Sequence, residues 1–194
     1  MEKKILSIDC DWIQNPNQML ELNDFVFKIF KNVKKIVFIK NHQTIVKYIN
    51  TPSYICNVDN HHDINYGYKN EFINAGNWVT YLNQIGLLQS YTWIHNTTSE
   101  YIIDDVINTI RNLREFDFDI NLNYINNIEF EEIFICESLG FYEKIISKEG
   151  RFFTPYNVFK QVALNFFKEK VIIDNEKNKS TFYNKRLGEV KKDS

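Results

Sequence analysis

Five short runs in this chain are apolar on consecutive residues: KILSID (4–9), KIVFIK (35–40), SYICNV (53–58), SYTWIH (90–95) and EEIFICE (131–137). A strand with one face in water alternates apolar and polar side chains. Continuous hydrophobicity requires cover on both faces, which a parallel sheet between two helical layers provides. The segments between the runs carry the helical period instead. QMLELNDFVFKIFKNV (18–33), HQTIVKYI (42–49), NEFINAGNWVTYLNQI (70–85, helical only from Trp78), SEYIIDDVINTIRNL (99–113) and TPYNVFKQVALNFFKEK (154–170) all read this way. In the last of these, Thr154 is placed to cap the helix and Pro155 to occupy its first turn. The alternation predicts an α/β three-layer sandwich around a mainly parallel sheet. One domain spans residues 1–174, and a polar, lysine-rich tail over 175–194 is expected to be loosely ordered.

Charge and cysteine usage narrow the function classes. Lys and Arg number 23 against 25 Asp and Glu, so no excess of positive charge points to a nucleic-acid partner. Cys10, Cys56 and Cys136 are scattered in or beside apolar runs, where reduced cysteine packs as a small hydrophobe. The opening MEKKILSIDCDW has too short an apolar core for a signal peptide, and no run approaches a membrane span. A cytoplasmic protein without membrane attachment is expected.

The unusual polar residues fall at the carboxyl ends of the candidate strands, where sheets of this kind bind ligands. The first run ends in Asp9-Cys10-Asp11, the second in Asn41-His42, and the third leads into Asp59-Asn60-His61-His62-Asp63. Extended geometry puts Asp9 and Asp11 on one side, and likewise Asp59, His61 and Asp63, with His62 pointing elsewhere. A single D-x-H-x-D is equally well a polar loop. Three strand ends carrying such residues together gather four carboxylates and two imidazoles. That many carboxylates repel one another unless cations are present, and two divalent ions balance their charge. The oxygen-rich, imidazole-containing donor set suits manganese, with iron, cobalt or zinc as substitutes, and the lack of cysteine argues against a structural zinc cage.

These motifs resemble those of a known family. DNHHDIN resembles the D-A-H-x-D motif of the arginase and agmatinase ureohydrolases, and SIDCDWIQNP resembles their S-x-D-x-D-x-x-D-P motif, with Asn15 in place of the last aspartate. KNHQ stands for their G-G-D-H segment, reduced to its histidine, and AGNWV (75–79) for their S-G-N-L-H segment. The motif order is permuted, since the D-x-D strand comes first. In that order and in its HHD and NW signatures the chain is similar to the peptide arginases, which convert arginine to ornithine inside ribosomally made precursor peptides. The resemblance covers roughly residues 4–140 and implies an arginase/deacetylase-like fold. It also implies two Mn2+ per chain, one held by His42, Asp63, Asp9 and Asp59, the other by His61, Asp11 and the bridging Asp9 and Asp59. The family's proton-shuttling histidine is replaced by Val79.

On this reading Asp63 holds a water molecule and passes on its proton, and Glu137, at the end of IFICE, pairs the substrate guanidinium. Glu137 also reads as an acid at the start of the helix SLGFYEKI. His95 is a candidate replacement shuttle or a structural histidine, and Asn77 a candidate donor to substrate backbone. His62 is expected near the site or at the surface. Trp12, Trp78 and Trp93 are expected in the core or the site wall, and Cys10 should point away from the metals. The expected function is manganese-dependent hydrolysis of arginine side chains to ornithine and urea in a precursor peptide. The alternatives are hydrolysis of a free guanidino compound or amide, and a non-catalytic, metal-dependent peptide-binding module.

Overall fold

A computed structural model describes residues 2–64, 73–97, 99, 110, 113–119, 121–138 and 154–174 of the chain. The five continuous apolar runs form β1 (Lys3–Asp9), β2 (Lys35–Ile39), β3 (Ser53–Val58), β4 (Leu88–Ile94) and β6 (Glu132–Cys136). Two further strands, β5 (Glu115–Asp119) and β7 (Val171–Ile173), close the edges of a seven-stranded sheet in the order β5-β4-β3-β1-β6-β2-β7. Every pairing is parallel. Sequence pattern misses the two edge strands for one reason. An edge strand is covered less completely, so EFDFD carries alternating acids and VII is only three residues long.

Among the described residues, three α-helices flank the sheet: α1 (Pro16–Asn32), α2 (Trp78–Gln84) and α3 (Pro155–Phe166). Asn15 begins α1, its side-chain oxygen accepting the amides of Asn17 and Gln18, with Pro16 following in the first turn. Asn15 thus works as a helix cap, a task Asn performs as well as Asp. Thr154 caps α3 as expected, accepting from Asn157 N. Segment 42–49 forms only a 3-10 turn over His42–Lys47. Consecutive β-branched Thr44, Ile45 and Val46 disfavour a longer helix, and β3 starts at Ser53. The helix expected over 99–113 and the tail at 175–194 lie outside the described residues.

Side-chain alternation divides each central strand between two apolar layers. Leu6, Ile8, Ile36, Phe38, Ile133 and Ile135 pack with Leu22, Val26 and Phe30 of α1 and Phe159 of α3. Ile5, Val37, Ile39, Ile55 and Phe134 pack on the other face with Ile45, Trp78, Val79 and Leu82. At the amino ends, Glu132 of β6 receives Lys3 at 2.9 Å and Lys35 at 2.8 Å, joining three adjacent strands. No helix among the described residues is long and apolar enough to cross a membrane.

Phe30 is fully buried, whereas Leu20 on the same helix is 67% exposed. Phe30→Ala is expected to lower the unfolding free energy by about 3–5 kcal/mol through lost burial and a residual cavity. Leu20→Ala is expected to change it by less than about 0.5 kcal/mol. Urea unfolding of the two variants checks the contrast.

Candidate metal centre

β1 lies at the middle of the sheet because successive connections leave it in opposite directions: β2 lies beyond β6 on one side, and β3 pairs on the other. Such a reversal opens a crevice at the carboxyl ends of the strands. The residues that enter it are Asp9 at the end of β1 and Asp11 just after it, His42 after β2, and Asp59, His61 and Asp63 after β3. Local backbone, rather than continued strand, aims several of them. Cys10–Trp12 is a 3-10 turn begun by Asp9, whose Oδ1 accepts Asp11 N at 3.3 Å. Asp59 Oδ1 accepts His61 N at 2.9 Å, and Asp63 sits at φ 54°. That left-handed conformation costs a non-glycine residue about 1 kcal/mol or more and concentrates at functional sites.

The geometry converges on His42. Its Nδ1 lies 2.8 Å from Asp63 Oδ2, 3.1 Å from Asp59 Oδ2 and 3.3 Å from Asp9 Oδ2, yet makes no hydrogen bond of acceptable geometry. Its other nitrogen, Nε2, is held by Ser7 Oγ at 2.6 Å. A buried ring nitrogen aimed between three carboxylate oxygens is the arrangement of a metal ligand whose remaining nitrogen is oriented by a neighbour. His61 Nδ1 stands 3.1 Å from Asp11 Oδ2 and 3.8 Å from Asp59 Oδ1. Two donor groups result, Asp9–His42–Asp59 and Asp11–Asp59–His61, and each is compact enough to hold a metal ion. Asp59 belongs to both.

Charge tests the fit. Asp9, Asp11, Asp59 and Asp63 are each no more than 6% exposed. Among the described residues none of them meets a lysine or arginine; their ion pairs are with His42 and His61 alone. Burial, then the Asp63, Asp11 and Asp9 charges, hold Asp59 well above the usual carboxylate range. Burial and Asp9 raise Asp11, against the pull of His61. Burial opposes a charge on His42, but the adjoining Asp63, Asp59 and Asp9 carboxylates outweigh it and hold its pKa well above 6.5. His61 is raised chiefly by Asp11, against partial burial. The donor set is therefore short of positive charge, and a divalent cation answers that shortage.

A shell of neutral donors fixes the cluster, and most of it is not evident in the sequence. Trp78 Nε1 donates to Asp63 Oδ2 at 2.5 Å, and its ring lies 4.9 Å from that of His42. Asn57 Nδ2 donates to Asp59 Oδ2 at 3.2 Å, and Trp93 Nε1 to the Asp59 carbonyl at 2.9 Å. His62 is buried; its Nδ1 accepts Ile64 N at 3.0 Å and its carbonyl accepts the Tyr91 hydroxyl at 2.8 Å. It braces the loop, and burial lowers its pKa to about 4. Strand parity already puts Ser7 and Asn57 on the faces of Asp9 and Asp59; the Trp78 and Tyr91 contacts depend on tertiary packing.

The other candidates lie nearby with work of their own. Glu137 follows β6, its amide donating to Ile39 O at 3.0 Å. Its Oε2 is buried without a hydrogen bond, 4.0 Å from Lys40 Nζ, and its charge reaches the Tyr156 phenol on α3. His95 follows β4, with Nδ1 3.0 Å from Asn96 O and its ring against Trp93. Asn77 Oδ1 accepts Asn74 N at 2.8 Å and so closes the turn before α2. Val79 is fully buried in the apolar layer. Cys10, Cys56 and Cys136 are buried and form no disulfide among the described residues. Compared with known proteins, the chain matches no family model, no curated protein and no solved structure.

The titration directions fix how stability depends on pH. His42 and His61 have folded pKa values above the ordinary 6.5, so their contribution is complete below 6.5 and lost as pH rises through the folded values. Ionisation of the raised Asp11 and Asp59 acts in the same direction. His62, lowered to about 4, is neutral in both states above 6.5 and opposes the trend only below it. The melting temperature of chelator-treated protein should therefore fall as pH rises from 6.5, and saturating Mn2+ should remove that fall. Thermal unfolding across pH, with and without the ion, measures both.

Proposed function

We propose that the protein is a binuclear metal-dependent hydrolase that cleaves the guanidinium group of arginine side chains, presented within a peptide, to ornithine and urea. The observation that carries this reading is Asp59, one buried carboxylate common to two donor groups, beside the orphaned Nδ1 of His42. Asp9, His42, Asp59 and Asp63 would hold one ion, and Asp11, His61 and the bridging Asp9 and Asp59 the other; manganese suits this set of oxygens and imidazoles. Once bound, two divalent ions bring the ionisation of water towards neutral pH and so provide the nucleophile that a guanidinium carbon, a poor electrophile, requires.

The remaining tasks fall to the chain. A cationic side chain needs a carboxylate outside the donor groups, and Glu137 supplies it. β6 lies between β1 and β2, so its carboxyl end opens between the strand that ends in Asp9 and the strand that leads to His42. The Glu137 carboxylate already faces one cation, Lys40, at the loose distance of 4.0 Å. An arginine fork replaces that contact with two parallel hydrogen bonds. Asp63 is the group proposed to take a proton and return it to the departing amine. With Val79 buried in the core, exchange of that proton with solvent is assigned to His95, whose ring is oriented through Nδ1 by the Asn96 carbonyl. Peptide context follows from the resemblance to the peptide arginases, and contacts beyond the reacting group would supply binding energy that free arginine lacks.

Incubated with Mn2+ and an arginine-containing precursor peptide encoded beside it, the protein should release urea and leave ornithine in equal amount. Asp59→Ala should abolish both turnover and binding of the ions. A stable wild-type protein that takes up no divalent ion would falsify the metal reading. Efficient turnover of free arginine with no effect on peptides would confine the error to the substrate.

Glu137→Gln keeps the shape and removes the charge. It should retain the metal content while kcat/KM falls roughly ten- to a hundredfold, the usual value of a hydrogen bond to a charged group. Wild-type kinetics in this variant would assign the guanidinium to another acid.

A further inference from the structure

We propose that Trp78 is a positioning residue for the metal centre, its indole N–H fixing the Asp63 carboxylate while its ring fixes the plane of the His42 imidazole. This rests on reading the carboxylate–histidine cluster as a metal site. Trp78 is fully buried, and one side chain meets two donors from different strand ends: Asp63 Oδ2 through Nε1 at 2.5 Å, and the His42 ring at 4.9 Å with a 45° tilt. The oxygen it engages is the one that stands 2.8 Å from His42 Nδ1. Asp63 is also the donor whose backbone is least favourable, at φ 54°, so its carboxylate needs holding from outside its own loop.

The sequence around Trp78 builds the mount. Asn74 Oδ1 accepts Gly76 N and Asn77 Oδ1 accepts Asn74 N, both at 2.8 Å, closing a turn that delivers Trp78 as the first residue of α2. Behind it Val79 and Leu82 anchor the helix in the core. An indole N–H can only donate and does not titrate, so it holds the carboxylate at any pH without adding the full charge by which a lysine would displace an ion. Ser7 Oγ holds the far side of His42 at 2.6 Å, so the imidazole is gripped at its edge and against its face.

The other two tryptophans provide internal controls. Trp93 Nε1 donates to a neutral carbonyl, that of Asp59, and Trp12 Nε1 is buried without a partner. The three indole N–H groups therefore stand in three distinct environments, and the one on a carboxylate forms the strongest hydrogen bond.

The test uses the full chain labelled with 15N-tryptophan, with Trp78→Phe and Trp12→Phe as variants. In metal-free protein the indole resonance lost in Trp78→Phe should be the furthest downfield of the three. It should move when diamagnetic Zn2+ is added, while the resonance lost in Trp12→Phe stays in place. Trp78→Phe keeps an aromatic ring against His42 and loses the donor, so its Mn2+ affinity, measured by calorimetry, should fall about 10–100-fold, as for other groups that orient metal ligands. Trp12→Phe should bind as wild type. A folded Trp78→Phe with wild-type affinity overturns the proposal. If Trp78→Phe does not fold, the wild-type spectrum decides: no indole signal that is both downfield-shifted and responsive to Zn2+ overturns it equally. Wild-type protein that binds neither ion overturns the metal reading itself, an outcome distinct from metal uptake to which Trp78 is indifferent.

Discussion

Four carboxylates buried against one another are the constraint around which this structure is arranged. At an effective dielectric constant near 20, two like charges 4 Å apart repel by about 4 kcal/mol. The fold sets four carboxylates around one crevice, and among the described residues no lysine or arginine pairs with them. Protons supply part of the balance in the chain by itself, since His42 and His61 are held above their ordinary range and Asp59 and Asp11 are raised. Neutral donors add hydrogen bonds without adding charge: main-chain amides of Asp11, Asn60 and His61, and the side chains of Asn57 and Trp78.

A parallel sheet makes so costly a cluster attainable. Each central strand is anchored on both faces by apolar side chains, from Leu6 and Ile8 on one side to Ile5 on the other, so its carboxyl end is a fixed point. Fixed points on adjacent strands can carry groups that would separate if they stood on mobile segments. Pairing Ile8 with Val58 and Asp9 with Cys136 puts the ends of β1, β3 and β6 level with one another. The order β3-β1-β6-β2 then sets the donors of three strands around the end of a fourth, which leads to Glu137.

Much of this was legible in the sequence, for a physical reason that also marks where legibility stops. Continuous runs such as SYICNV report burial on both faces, so the five inner strands are evident; EFDFD and VII lie at edges, where that signal fades. Asp9, His42 and Asp59 could be placed because strand parity and strand ends are local properties. The approach of Asp11 and Asp63 was expected from extended geometry, whereas a 3-10 turn and a left-handed residue produce it. His62, turned away from Asp59 by parity, was expected near the site or at the surface; it is buried near the site, and its ring braces the loop. Trp78 was expected in the core or the site wall, but what its indole N–H and the Tyr91 hydroxyl meet depends on how distant segments pack.

The choice of neutral braces bears on what the site can bind. A buried acidic cluster can be made stable by a lysine or arginine, whose charge is permanent and whose chain-borne position makes it hard to displace. Such a residue would settle the electrostatics and leave no room for a diffusible cation. Here the described partners of the four aspartates are amides, an indole and two imidazoles, and the imidazoles can release their protons when an ion enters. Lys40, at the same edge of the sheet, points its ammonium towards Glu137 instead. The geometry is thus held by groups that do not compete for the site, while its charge balance is held by protons that do. A cluster divided in this way can exchange its protons for a divalent ion, and that exchange becomes easier as pH rises and the competing protons leave.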